Sequence, residues 1–279
     1  MRINKDSLKA RANKISRECG VSHNVIYQRL FFDAFLSRLA VSKHKDKFVL
    51  KGGLLLSSII GVDARTTMDM DFYLKKVSMG KETTVSLVKE IAFIDIEDDI
   101  HFDVVNVTDI RNDDIYGGFS VVIAARLDNV RCRFSVDIAT GDPIVPSERS
   151  YVYKCLLTGE MLPIKTYSLE SVVSEKLETV LSKGIVNSRS KDYYDLYILR
   201  KCRLGDVDIA VLKKAFIKTC EYRKFFMSKK DAFVLLREIE SNRQMQKRWA
   251  NYCGNVGYAE GIVFTQVIGA IKEWLEVVL

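Results

Sequence analysis

The chain has 279 residues, 48% of them apolar and 28% charged, with 15 Gly, 3 Pro and a net charge of +7. That composition excludes disordered, collagen-like and low-complexity classes and suits one domain with helical additions or two modest domains. The longest apolar stretches, such as 49–56 with Lys51 inside it, fall short of the roughly 20 residues that span a bilayer, so no membrane role is expected. The N-terminus is basic but no apolar segment follows it, so no secretory signal is read and a cytoplasmic location is expected. Six cysteines lie at least 18 residues apart and only three histidines accompany them; free thiols rather than a zinc site are expected.

The charge is unevenly distributed. Residues 1–50 carry +7, residues 51–195 carry −6 and residues 196–279 carry +6. Basic ends attract polyanions, whereas an acidic middle repels them unless bound cations neutralise it. The plainer reading is that Lys and Arg solvate exposed helix faces.

In chain order, residues 5–18 and 22–40 read as helices, the second with Val25, Ile26, Leu30, Phe31, Ala34, Phe35 and Leu39 at helical spacing and Ser22 placed to cap. The break at 19–22 resembles a helix-turn-helix, under which Arg17 and Arg29 would read duplex DNA. Two consecutive Phe in the second helix suit a packed core better. Residues 48–51 form a short strand or turn, Gly52-Gly53 opens a buried helix and Gly61 stops it. A strand follows at 68–74 and a helix at 81–92. Strands are expected at 101–107, 119–127 and 131–139, the last two joined by an Asp128-Asn129 turn. Pro143 and Pro146 begin a connecting segment, and 161–165 is extended. Helices are expected at 169–183 behind Ser168, 189–201 behind Ser188, then 206–220, 229–252 and 258–278. The expected class is α/β (α+β), with helices at 1–45, a core at 46–166 and a helical bundle at 167–279.

Residues two apart on a strand share a face, so Asp69 and Asp71 project together while Met68, Met70 and Phe72 face the other way. Adjacent carboxylates repel unless one is protonated or a cation lies between them, and Mg²⁺ favours such oxygens. A D-x-D pair is common as solvated edge residues. Its neighbours raise its interest: Gly52-Gly53 at a helix start, where backbone N–H groups can hold phosphates, and Arg65-Thr66-Thr67 just ahead of the strand. Asp137 alternates with Phe134, Val136 and Ile138, so it can complete a three-carboxylate metal site, with Asp103 as competitor and a salt bridge to Arg131 or Arg133 as the plainer role.

The series Lys51-Gly52-Gly53 … Arg65-Thr66-Thr67-Met68-Asp69-Met70-Asp71-Phe72 resembles the start of the DNA polymerase β-like nucleotidyltransferase fold. Glu175-Lys176-Leu177 and Arg189-Ser190-Lys191-Asp192-Tyr193-Tyr194-Asp195 are similar to motifs of the AbiEii/AbiGii abortive-infection toxins of type IV toxin-antitoxin systems, relatives of the MenT toxins. The resemblance covers about residues 25–200. Leu54 stands where many members carry Thr, and Met70 replaces a more usual aliphatic residue.

This resemblance implies transfer of a nucleotide from an NTP to an RNA acceptor, notably the 3′ end of tRNA, with growth arrest and phage resistance as the outcome. Asp69, Asp71 and Asp137 would hold Mg²⁺ or Mn²⁺ and act in catalysis with Lys176 and Asp192. Lys51, Gly52, Gly53, Arg65, Thr66, Thr67, Arg189, Lys191 and Asp195 would bind the nucleotide. The antitoxin would act without a stable complex. Read without the family, the residues 189–195 form surface ion pairs worth well under ~1 kcal/mol. The alternatives are transfer to a protein hydroxyl and a non-catalytic DNA-binding protein.

Overall fold

In the computed structural model residues 5–75, 80–110 and 117–279 are described. The chain divides into two compact units: Met1–Gly141 with Arg149–Thr166, and Asp142–Glu148 with Tyr167–Leu279.

The first unit is built on a seven-stranded mixed sheet. Its helices are α1 (Lys5–Cys19), α2 (His23–Val41), α3 (Gly52–Ile60) and α4 (Lys81–Ala92). Its strands are β1 (Phe48–Lys51), β2 (Asp69–Leu74), β3 (His101–Ile110), β4 (Gly118–Leu127), β5 (Val130–Ala139), β6 (Arg149–Lys154) and β7 (Met161–Thr166), in the spatial order β3-β4-β5-β2-β1-β7-β6. The pairs β2–β5 and β1–β7 are parallel and the others antiparallel. The β4–β5 turn is tight, with Asp128 at φ +50°. β6 is an addition to the sequence reading: Tyr151 and Tyr153 alternate with Ser150, the exposed Val152 and Lys154 there, and the prolines ahead of them concealed the pattern.

Alternation of large apolar residues explains the layering. Met70, Phe72, Val121, Ile123, Phe134, Val136 and Ile138 are at most 4% exposed and form one face of the sheet. Helix α2 packs on that face through Phe32 against Phe134 (ring centroids 5.0 Å) and Phe35 against Phe72 (6.3 Å). Burying each such ring contributes roughly 1.5–3 kcal/mol.

Helix α2 is buried nearly all round. Even Gln28, Arg29, Asp33 and Arg38 are at most 7% exposed. Arg29 meets Asp33 at 3.2 Å, and Asp33 also accepts from the Tyr153 hydroxyl and the Leu156 N–H, each at 2.6 Å. Burial raises the pKa of Asp33 despite these partners. A helix enclosed in this way cannot lie in a DNA groove, so the helix-turn-helix reading, which needed Arg29 at a surface, is wrong.

The second unit is helical: α5 (Leu169–Lys183), α6 (Ser190–Cys202), α7 (Ile209–Tyr222), α8 (Lys229–Ser241), α9 (Arg243–Asn255) and α10 (Phe264–Val278). Ser168 caps α5 by accepting from the Ser171 N–H. Helix α6 starts one residue later than expected, with Arg189 rather than Ser188 as its cap position. The single helix expected over 229–252 is two, because Asn242 accepts from the N–H groups of Gln244 and Met245 and starts α9 afresh. The expected 258–278 helix begins only at Phe264. Arg223 ties the 142–148 segment to this unit, pairing with Asp142 at 2.9 Å and with Glu178.

Among the described residues no helix is long and apolar enough to cross a membrane.

Candidate active site

The apolar residues that hold β2 and β5 against α2 leave the alternate positions on the opposite face. The parallel register pairs Asp69 with Ser135 and Asp71 with Asp137, so all three aspartates stand on that face of adjoining strands. Extending the register gives one row across five strands: Lys51 (β1), Asp71 (β2), Asp137 (β5), Ser120 (β4) and Thr108 (β3). Adjacent strands are about 4.8 Å apart, which makes Asp71 and Asp137 immediate neighbours. The Ser120 hydroxyl donates to Asp137 Oδ1 at 2.6 Å.

Asp103 does not belong to this group. Its register partner is Ala124, which pairs with Arg133, four residues along β5 from Asp137 and two strands from Asp103. At about 3.3 Å per residue that offset alone is roughly 13 Å.

The glycine pair is shaped by Asp71. Gly52 has φ +64°, and a Cβ there would fall 1.9 Å from Asp71 Oδ2; a Cβ on Gly53 would fall 2.6 Å from Thr67 Oγ1. No other residue fits at Gly52 without moving the carboxylate. The Gly53 N–H points at Asp71 Oδ2 over 3.4 Å, so the start of α3 opens directly beside the acidic row. Lys51 is the last residue of β1 and the cap position of α3.

The 65–67 segment supports this corner from within. Arg65 is 4% exposed, donates to the Thr66 carbonyl, and has Nη2 3.3 Å from where a Gly53 Cβ would sit. It therefore lies behind the glycines, not at an open mouth. Thr67 Oγ1 donates to the Asp69 carbonyl at 3.3 Å. Thr66 is half-buried beside it. Sequence reasoning missed Gln28: buried in α2, its Nε2 donates to the Met68 carbonyl at 2.8 Å and fastens the chain one residue ahead of Asp69. A glutamine within an apolar helical stripe was the available signal.

In the helical unit the structure gathers Lys176, Asp192, Asp195 and Arg189. Lys176 Nζ lies 2.6 Å from Asp192 and 2.8 Å from Asp195, with both aspartate side chains at most 2% exposed. Burial opposes the ammonium charge, but the two carboxylates outweigh it and hold the Lys176 pKa above the ordinary lysine value. Arg189 Nε reaches Asp192 Oδ2 at 2.8 Å and remains half-exposed. Lys191 is exposed and outside the cluster. The plainer alternative of surface ion pairs does not hold: the centre of the cluster is buried, where removing one partner is costly.

Among the described residues no three His, Cys, Asp or Glu side chains are drawn together tightly enough to hold a metal ion. The donors nevertheless fit a hard divalent cation in kind. They are carboxylates on one face of adjoining strands, and the missing Cβ of Gly52 is what makes room for the Asp71 carboxylate.

The sequence matches the family described as "Nucleotidyl transferase AbiEii toxin, Type IV TA system" over residues 34–271. The chain belongs to the AbiEii nucleotidyltransferase toxin family. The match takes in β1, the glycine pair, the acidic strands and the Lys176 cluster, and it makes the protein an enzyme of the nucleotidyltransferase class. Two crystal structures from H. pylori share the fold. One, titled as a nucleotidyltransferase, has a TM-score of 0.55 at 14% identity over 92% of this chain and 96% of its own. The other, JHP933, has a TM-score of 0.51 at 14% identity over 92% and 93%. No curated protein matches the sequence.

Proposed function

We propose that this AbiEii-family enzyme transfers a nucleotide from an NTP to an RNA hydroxyl, with the 3′ end of tRNA as the acceptor, and so arrests growth as the toxin of a phage-resistance system. The observation that carries the reading is the row Lys51–Asp71–Asp137–Ser120 with Gly52 pressed against Asp71. Carboxylates and the backbone N–H groups at the start of α3 adjoin there, as phosphoryl chemistry requires.

The N–H groups at the start of α3, with Lys51, hold the triphosphate; Thr66 and Thr67 lie at the same corner and Arg65 braces it. Asp137 takes the proton from the acceptor hydroxyl, with Ser120 fixing its carboxylate. The acceptor oxygen then bonds to the α-phosphorus as the bond to pyrophosphate breaks, and pyrophosphate leaves in line. A divalent cation, Mg²⁺ or Mn²⁺, held by Asp69, Asp71 and Asp137, supplies the positive charge that such a triphosphate needs. In the helical unit Lys176, Asp192 and Asp195 position Arg189, which with Lys191 recognises phosphate. The antitoxin acts without a stable complex, and the protein works in the cytoplasm.

The test is incubation with each of four labelled NTPs, Mg²⁺, total RNA and total protein. Label enters RNA with the wild type, and Asp69→Asn or Asp71→Asn abolishes the incorporation. Label appearing only on protein would replace the RNA acceptor with a protein hydroxyl. Unchanged transfer and growth arrest in both variants would refute the site.

A further inference from the structure

The polar face of the sheet continues past the acidic row. Two residues along β5 from Asp137 stands Ser135, beside Asp69; two more bring Arg133 and a further two Arg131. Arg131 pairs with Arg126 of β4, and Arg126 pairs with His101 of β3. Alternation puts Arg126, Arg131 and Arg133 on the same face as Asp69, Asp71 and Asp137. All three arginines are exposed. With Ala124 and Asp103 they line a shallow depression of about 450 Å³. Among the described residues that line it, three guanidinium groups face one carboxylate, Asp103, so the lining is net positive.

Its direction from the acidic row matters. In-line displacement puts the incoming oxygen and the departing pyrophosphate on opposite sides of the phosphorus. The glycine pair that receives the triphosphate is on the β1 side of Asp71, whereas Asp137 and the arginines are on the β5 side. The acceptor must therefore approach over β5 and β4. Resting on the nucleotidyltransferase reading above, we infer that Arg126, Arg131 and Arg133 bind the phosphate backbone of the acceptor RNA's single-stranded 3′ end. Arg133 and Arg131 are four and six residues from Asp137, roughly 13 and 20 Å at about 3.3 Å per residue. With an axial rise of about 3.4 Å per nucleotide in a stacked strand, the arginines meet the chain roughly four to six nucleotides behind the reacting hydroxyl. Their role is electrostatic and indifferent to base identity.

The test is fluorescence anisotropy with a labelled RNA hairpin bearing a six-nucleotide single-stranded 3′ tail, against the same hairpin with a blunt end, from 50 to 200 mM salt. Each lost single-strand phosphate contact lowers the slope of log affinity against log salt by about 0.7. The double variant Arg131→Gln/Arg133→Gln therefore lowers the slope for tailed RNA by about 1.4. Over the fourfold salt range the wild type loses about sevenfold more affinity than this variant. The blunt hairpin shows no such difference, and Arg131→Lys/Arg133→Lys keeps the wild-type slope. Equal slopes in the wild type and the Gln variant, or label transfer to protein with no dependence on these arginines, would overturn the inference. Asp69→Asn/Asp71→Asn separates it from the parent reading: loss of transfer with tailed-RNA binding retained upholds both. Transfer that survives the aspartate changes sinks the catalytic reading, while the salt slopes still decide the arginines.

Discussion

Replacing Gly52 with alanine tests the link between the glycine pair and the acidic row. The added methyl carbon would fall 1.9 Å from Asp71 Oδ2, 2.5 Å from its Cγ and 2.7 Å from its Cβ. All three are shorter than any real contact, so Asp71 or the start of α3 must move. Holding alanine at φ +64° costs about 1–2 kcal/mol, and the overlap adds roughly 1–3 kcal/mol, so the first unit loses about 2–5 kcal/mol. Gly20→Ala is the control, because Gly20 has φ +66° but open space around it; only the 1–2 kcal/mol backbone cost applies there and nucleotide transfer is unchanged. Denaturant unfolding and label transfer to RNA are measured on both variants. Gly52→Ala loses transfer far beyond its unfolded fraction, since Asp71 is displaced. Adding Asp71→Ala removes the two nearest atoms, so the double variant regains part of the stability while remaining inactive, a non-additivity of about 1–3 kcal/mol. Transfer by folded Gly52→Ala at the wild-type rate would refute the reasoning, as would strict additivity with Asp71→Ala.

Two further substitutions address each unit. Ser120→Ala removes the 2.6 Å hydrogen bond to Asp137; by the usual ~1.5–3 kcal/mol for a bond to a charged group, kcat falls about 10- to 100-fold with little change in NTP affinity, read from steady-state transfer. Lys176→Met removes the ammonium shared by the buried Asp192 and Asp195, leaving Arg189 on Asp192, and destabilises the helical unit by about 3–5 kcal/mol, whereas Lys176→Met with Asp192→Asn and Asp195→Asn recovers much of the loss. Because the folded-state pKa of Lys176 is raised, its stabilisation is complete below about 10.5 and fades as pH rises through the folded value. Alkaline unfolding curves therefore show a drop above pH 10.5 in the wild type that the triple variant lacks.

Local patterns made part of this protein legible. A two-residue repeat puts Asp69 and Asp71 on one strand face whatever the sheet around them, and Gly52-Gly53 can only open a turn or a helix. Element order and most boundaries follow from the same short-range preferences, as at α4, where the expected and observed spans coincide at Lys81–Ala92. The exceptions were also local but easily misread: Asn242 as a second cap inside an unbroken helical pattern, and β6 behind two prolines.

Tertiary structure decided which distant residues meet. The chain's order favours Asp137 over Asp103 without deciding between them, since both lie on strands beside apolar neighbours; only the parallel β2–β5 register sets Asp137 beside Asp71 and Asp103 two strands beyond it. Register is set by packing against α2 through Phe32, Phe35, Phe72 and Phe134, which is a property of the assembled core. The same assembly turned Arg29 from a surface reader into a buried partner of Asp33, and set Lys176 of one helix between the buried Asp192 and Asp195 of another. A sequence records which groups carry charge; the fold decides whether water, an opposite charge or a substrate answers it, because solvation depends on what the rest of the chain places around each group.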